Sequence, residues 1–312
     1  MSDLTAARFH NEIAAREYLQ ATRWPDGPIC PHCGSVNKAY ENKAKPGVYR
    51  CGEPECRMDF SITVGTLFER SHIPLHKWLL ATHLIMSSKK GYSAHQLHRT
   101  LDVTYKTAWF MAHRIRAALT PMPGKEGPLG GQNKVVEADE TYIGGKEKNK
   151  HANKRLHAGR GAIGKEPVLS LVERGGKVRS RHVSDVSAKT LRSAMVEQID
   201  KASYLMTDEA PVYTKIGNEF VGHGTVNHSR EEYVRAYFWH TNTAEGYFSI
   251  LKRGIMGTFH HVSPQHLHRY LAEFDFRYNE RSALGVEDTE RAAKALKGIG
   301  GKRLLYRDSS PV

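Results

Sequence analysis

The chain has 312 residues, enough for two or more domains, with 46 Lys and Arg against 33 Asp and Glu and a formal charge of +13. That excess favours a polyanionic partner, nucleic acid first and an acidic membrane surface second. No run of roughly 18 apolar residues exists and the N-terminus has no signal-peptide core, so a transmembrane helix is excluded and a soluble intracellular protein is expected.

In chain order, residues from Leu4 to about Ala21 have helix-forming composition and stop at Trp24-Pro25-Asp26-Gly27. Four cysteines follow as two close pairs, Cys30 with Cys33 and Cys51 with Cys56, with 17 residues between the pairs. In an intracellular chain such pairs point to a tetrahedral structural zinc site, because two tight knuckles can bring four thiolates onto one ion. Gly34 and Gly52 supply the turns, the second knuckle is the wider, and His32 is a possible further ligand. A closed site of this kind stabilises folding and docks a partner; it does not catalyse. Asp59 to Val64 is β-branched and alternating and reads as a short strand, which closes a first segment at residue 66.

Residues 67–119 read as helical. Pro74 introduces a helix from Leu75 to Met86, Ser93 caps one carrying Leu97 and Leu101, and Asp102-Val103-Thr104 turns into a third from Tyr105 to Leu119. This is the arrangement of a helix-turn-helix, with Thr104, Tyr105, Lys106 and Thr107 towards the major groove and Lys106, His113, Arg114 and Arg116 exposed on a basic face. A plain helical hairpin with a solvated basic face fits the same pattern. Residues 120–133 are rich in Pro and Gly and read as a linker.

Lys134 to Ile143 reads as a strand with Glu137, Asp139 and Thr141 on one face and Val136, Ala138, Glu140 and Tyr142 on the other. So many carboxylates in one strand repel, and a metal ion is the usual remedy. Val168 to Val183 predicts a hairpin turning at Gly175-Gly176, Thr190 to Ile199 a helix, and Tyr204 to Thr207 a strand ending in Asp208 and Glu209. His240 to Arg253 is amphipathic at 100° per residue, with Tyr247, Phe248, Ile250 and Leu251 behind and Glu245, Ser249 and Lys252 in front. Asn242 with Glu245 also fits a capping box. A carboxylate in a strand (Asp139), one at a strand end (Asp208) and one on a helix (Glu245) are hard ligands suited to Mg²⁺ or Mn²⁺. Two such ions, about 3.5–4 Å apart, support in-line phosphoryl displacement without a protein nucleophile.

The strings VEADETYIGG, GKEPVLSLVE, TDEAPVY, VNHSREEYV and HTNTAEGYFSILKRGIMGTFHHVSPQHLHRYLAEFDFRYNER, with CPHC and the second cysteine pair, carry a resemblance over nearly the whole chain. The chain resembles bacterial insertion-sequence transposases of the zinc-ribbon DDE group, the ISXO type. That resemblance implies an α/β RNase H-like nuclease domain over residues 134–283, a mixed sheet flanked by helices. It implies Asp139, Asp208 and Glu245 as a catalytic triad holding two Mg²⁺ or Mn²⁺ ions, with Lys252 as a DNA-contacting lysine. It selects Asp139 and Asp208 over their neighbours Glu137, Glu140 and Glu209. Expected partners are the element's terminal inverted repeats, target DNA and at least one further copy of the chain, at the bacterial nucleoid.

Residues 146–165 are strongly basic and aperiodic, which fits either a loop ordering on phosphate or a solvated, disordered insert; on the first reading Lys154 and Arg155 contact phosphate, as Lys106, Thr107, Arg114, Lys252 and Arg253 are expected to. His228 and His240 read as structural or DNA-contacting. Ser263-Pro264 starts a last helix with Leu267, Tyr270, Leu271, Phe274 and Tyr278 on its core stripe, and residues 284–312 read as a loose basic tail. Three competing readings are a zinc-containing DNA-binding regulator, a tyrosine recombinase built from His266, Arg269 and Tyr306, and an RNase H-like nuclease that does not transpose.

Overall fold

The computed structural model describes residues 4–122, 124, 126–145, 149–155, 162–226 and 240–305. The chain divides into two compact units, Met1–Thr120 with Glu280–Val312, and Pro121–Asn279.

In the first unit, α1 (Glu12–Arg23) starts at Asn11, whose side chain accepts from the N–H groups of Ile13 and Ala14. Next comes a three-stranded antiparallel sheet of β1 (Ala39–Glu41), β2 (Val48–Cys51) and β3 (Asp59–Ser61). Trp24, Tyr49 and Phe60 pack ring against ring behind it. Helix α2 (Leu75–Ser87) has Pro74 at its N-cap, which offers no side-chain acceptor; Glu12 of α1 instead accepts from the N–H groups of Leu75 and His76. A capping box of Ser93 and Gln96 starts α3 (Ala94–Leu101), Asp102 turns the chain at φ 49°, and Thr104 caps α4 (Tyr105–Leu119).

Two expectations fail here. The basic face assigned to α4 is largely interior: His113 and Arg116 are 0% and 2% exposed, and Arg114 lies half-buried over the Phe110 ring, 4.7 Å from its centroid. Helix α4 packs against α2, α3 and α9 (Asp288–Lys297), so its buried stripe is wider than a two-helix arrangement would need. Thr104, Tyr105 and Lys106 are exposed at its first turn. The region read as a loose tail is structured as far as it is described. Ala292, Ala295 and Leu296 of α9 are buried, Arg291 donates to the Met86 and Val286 carbonyls, and Ile299 is 1% exposed. Ala292, Ala295, Leu296 and Ile299 recur at helical spacing, a pattern that the basic, Gly-containing composition of the segment obscured.

The second unit is a mixed sheet in the order β6-β5-β4-β7-β8, comprising β4 (Val135–Ile143), β5 (Glu166–Glu173), β6 (Val178–His182), β7 (Tyr204–Asp208) and β8 (Gly222–Val226). Strands β4, β5 and β6 pair antiparallel; β4 with β7 and β7 with β8 pair parallel. Gly175, at φ +69°, turns the β5–β6 hairpin. One sheet face packs Val136, Ala138, Leu169, Leu171 and Leu205 against α5 (Ala188–Gln198) and α6 (Tyr213–Gly217). The other packs Val168, Val172 and Val178 against α7 (Asn242–Gly254) and α8 (Pro264–Asn279). The linker contributes to this core: Leu129 is 3% exposed and bonds with Gln198 and Asp200 through its backbone. Strand β6 would be an open edge, but Asp275 and Asn279 of α8 accept from the N–H groups of Ser180 and Val178.

Candidate active site and metal centre

The cysteines converge on one point. The four Sγ atoms all lie within 4.8 Å of one another, with Cys30 to Cys56 at 3.7 Å and Cys33 to Cys51 at 3.6 Å. Disulfide sulfurs sit near 2.05 Å, so these are free thiols. A tetrahedron with metal–sulfur bonds of about 2.3 Å has edges of about 3.8 Å, which fits the observed spacing and a zinc ion. Hydrogen bonds from Ser35 hold Cys33 down to about 6. The Met58 N–H favours the Cys56 thiolate, yet desolvation and the three neighbouring sulfurs push that thiol up to about 12.

The acids are placed by the sheet. Strands β4 and β7 pair in parallel from Val135 opposite Tyr204 to Glu137 opposite Met206; Asp139 lies two residues beyond that pairing on β4, and Asp208 two residues beyond it on β7. Both are half-buried, and Asp208 accepts from the Ala210 N–H at 3.0 Å. Pairing across β5 and β6 sets Asp139 opposite Ser170 and Ser170 opposite Ser180, a row on the face covered by α7 and α8. Ser180 donates its hydroxyl to Asp275 at 2.7 Å, and Tyr247 of α7 donates to the same oxygen at 2.5 Å. Glu245 stands exposed in the first turn of α7, with Lys252 and Arg253 exposed further along. Lys252 reaches back over Phe248, and Arg253 donates to the Ser249 carbonyl. The oxygen donors of Asp139, Asp208 and Glu245 suit a hard divalent cation. Among the described residues, however, only the cysteines bring three or more potential ligand atoms within 4.8 Å.

Neighbouring glutamates have other tasks. Glu140 points to the opposite face of the sheet, where Tyr213 of α6 donates to its carboxylate. Burial, together with the charges of Asp139 and Asp208 and against the Tyr213 hydrogen bond, pushes Glu140 up to about 7. Glu137 is 0% exposed and bonded to Arg174, Thr243 and Ala244. The capping box that Asn242 and Glu245 also fit, the alternative to a functional Glu245, is not formed: Thr241 occupies the N-cap of α7 and no side chain of its own segment caps it. Glu137 caps it from β4, through the N–H groups of Thr243 and Ala244. Sequence reasoning missed Arg174 and Tyr213. The one signal was a glutamate between two apolar residues of a strand, a position that demands a cation or several donors.

The remaining candidates are scattered. Thr107 bonds with Thr104 at the start of α4, Lys106 is exposed beside it, and Arg155 donates to the Lys150 carbonyl at 2.9 Å. Lys154 ends a 3-10 turn, Ala152–Lys154. The rest of the basic insert (146–148 and 156–161), His228 and Tyr306 lie outside the described residues. Among the described residues no helix is long and apolar enough to cross a membrane.

Residues 128–279 match the ISXO2-like transposase domain family, and residues 10–59 match the transposase zinc-ribbon domain family. A protein of the transposable element ISH50 from Halobacterium salinarum is 30% identical over 291 residues, covering 86% of this chain and 91% of that one. A solved intasome of simian T-cell lymphotropic virus, in complex with the PP2A regulatory subunit B56 gamma, aligns over 58% of this chain and 67% of its own at 16% identity. Its TM-score of 0.29 is too low to bear on the fold. With a quartet of thiols spaced for zinc, family matches over both regions and a relative 30% identical over most of both chains, the chain belongs to the zinc-ribbon, ISXO2-like DDE transposase family.

Proposed function

We propose that this chain is a DNA transposase that binds the ends of an insertion sequence, hydrolyses a phosphodiester at each end and joins the exposed 3′-hydroxyl to target DNA. What supports the reading is the parallel pairing of β4 with β7: Asp139 and Asp208 each lie two residues past its last pair, and α7, which packs on β4, bears Glu245. The mixed sheet with helices on both faces is what the RNase H-like assignment requires.

Asp139, Asp208 and Glu245 would hold Mg²⁺ or Mn²⁺ ions. Those ions, when bound, favour ionisation of the attacking hydroxyl and stabilise the leaving oxygen. In the first step a water oxygen forms a bond to phosphorus and the P–O3′ bond breaks, leaving a 3′-hydroxyl and a 5′-phosphate. In the second that hydroxyl attacks a target phosphodiester, and the displaced target 3′-hydroxyl leaves. Lys252 and Arg253, exposed on the same helix as Glu245, would hold phosphate oxygens against the triad's negative charge. The zinc ribbon and the exposed start of α4 would supply end recognition. Pairing two ends requires at least two copies of the chain on DNA.

The test is a nicking and strand-transfer assay on end-sequence DNA with Mg²⁺, Ca²⁺ or chelator, comparing wild type with Asp139→Asn, Asp208→Asn and Glu245→Gln. Each variant is expected to bind ends and fail to cut them. Cutting by Asp139→Asn would refute the triad, and a covalent protein–DNA adduct would turn the reading to a tyrosine recombinase. Nicking without joining would leave a nuclease, and binding with no cutting by wild type would leave a regulator.

A further inference from the structure

We infer that Glu137 is a positioning residue: its buried carboxylate clamps the first turn of α7 to β4 and so holds Glu245 at a fixed offset from Asp139. The inference rests on the triad reading above and adds the device that sets its geometry.

The carboxylate has no exposure and both oxygens are engaged. Oε2 accepts from the Thr243 and Ala244 N–H groups, each at 2.9 Å. Oε1 accepts from the Thr243 hydroxyl at 2.9 Å and from Arg174 Nε at 2.6 Å. His240 brings Nδ1 to 3.2 Å from that oxygen, an ionic contact when the ring is protonated but one without hydrogen-bond alignment. Arg174 also donates to the His240 carbonyl at 2.7 Å, fixing the residue that enters the helix. A carboxylate so fully occupied with protein donors is a poor metal ligand, which separates Glu137 from its neighbour two residues along.

Position gives the clamp its purpose. Glu137 and Asp139 share a strand face, about 7 Å apart at a rise of about 3.4 Å per residue. Glu245 follows directly on Ala244, whose N–H is held. One side chain therefore ties the strand of the first acid to the helical turn of the third. Helix α7 has no side-chain cap from its own segment, so loss of Glu137 would leave its first N–H groups unpaired in a buried place. Arg174 would be left without its carboxylate as well. The first turn would fray and carry Glu245 with it.

The experiment compares wild type, Glu137→Ala, Glu137→Gln and the double variant Glu137→Gln/Arg174→Gln, with Asp139→Asn alongside. In the double variant a neutral amide pair can replace the ion pair, while the amide oxygen at position 137 still accepts from α7. Three readouts are taken: nicking rate of end DNA, Mn²⁺ binding to the protein–DNA complex by paramagnetic resonance, and hydrogen exchange of the 241–248 amides. Glu137→Ala is expected to lose roughly 10–100-fold in both nicking and Mn²⁺ affinity, the range for residues that orient metal ligands. Exchange should rise in the first turn of α7 while β5 amides stay protected, and the double variant should recover most of the Mn²⁺ affinity. Wild-type nicking and Mn²⁺ affinity in Glu137→Ala, with Asp139→Asn inactive, would overturn the clamp and leave the triad standing. Loss of β5 protection that the double variant does not rescue would also overturn it, making Glu137 structural only. Nicking by Asp139→Asn at the wild-type rate would instead remove the triad reading beneath it.

Discussion

Tyr213 donates its hydroxyl to Glu140, one residue along the strand from Asp139 but on the opposite side of the sheet. The pair ties α6, just downstream of Asp208, to the strand that carries the first acid. Tyr213 is 0% exposed, and burial pushes its phenol far above the usual range, with the Glu140 charge adding to the effect. Tyr213→Phe removes the donor and leaves a buried carboxyl short of a partner. It is expected to cost about 1–3 kcal/mol in unfolding free energy, read as a lower urea midpoint with an unchanged slope.

Asp275 gives a pH signature. Burial pushes its carboxyl up to about 6 despite hydrogen bonds from Tyr247 and Ser180, against an ordinary value of 3.8. Its folded-state pKa is raised, so the native state binds the extra proton. Its stabilising contribution is complete below about pH 4 and is lost as pH rises through about 6. Melting followed from pH 4 to pH 7 should show a fall to which Asp275 contributes at most about 3 kcal/mol; Asp275→Asn should remove that part and leave the part due to Glu140, whose carboxyl is also raised. An identical slope in that variant would assign the dependence to another group.

Zinc removal should act on the ribbon. Metal analysis should find one zinc per chain, and Cys51→Ser should lose it, since Cys51 is a fully buried member of the sulfur quartet. Structural zinc sites couple binding directly to folding, so a chelator should abolish protection of β1 to β3 in hydrogen exchange. Protection that survives complete metal loss would show that the ring packing of Trp24, Tyr49 and Phe60 is enough.

Lys106 tests the DNA-facing end of α4. If it meets a phosphate, Lys106→Ala should weaken binding about equally for end and unrelated sequences and flatten the log–log salt slope by about 0.9. Arg116→Ala should instead lower stability, because that guanidinium is buried within the helical unit. An unchanged slope for Lys106→Ala would remove this residue from the interface.

Much of this molecule is legible locally. The spacing of Cys30, Cys33, Cys51 and Cys56 predicts a four-sulfur site, and alternation along β4 correctly separates Glu137 and Asp139 from Glu140. The amphipathic stretch from His240 to Arg253 forms a helix from Asn242 onward, with Tyr247, Phe248 and Leu251 inside and Ile250 half-buried. The errors are equally local in origin. A helical wheel cannot show that α4 is covered by a helix from the far end of the chain, so His113 and Arg116 look exposed when they are buried. Asn242 and Glu245 match a capping box, yet the cap comes from Glu137, more than a hundred residues upstream.

The sequence alone determined the donor chemistry: soft thiolates in two knuckles, carboxylates in a strand, at a strand end and on a helix. Periodicity sets which side chains share a face, since that follows from backbone geometry a few residues long. Tertiary structure decided which of the adjacent acids does what, because a carboxylate's role depends on the donors brought against it. Arg174 and the start of α7 engage Glu137, and Tyr213 engages Glu140, while Asp139 and Asp208 lie on the parallel strands β4 and β7.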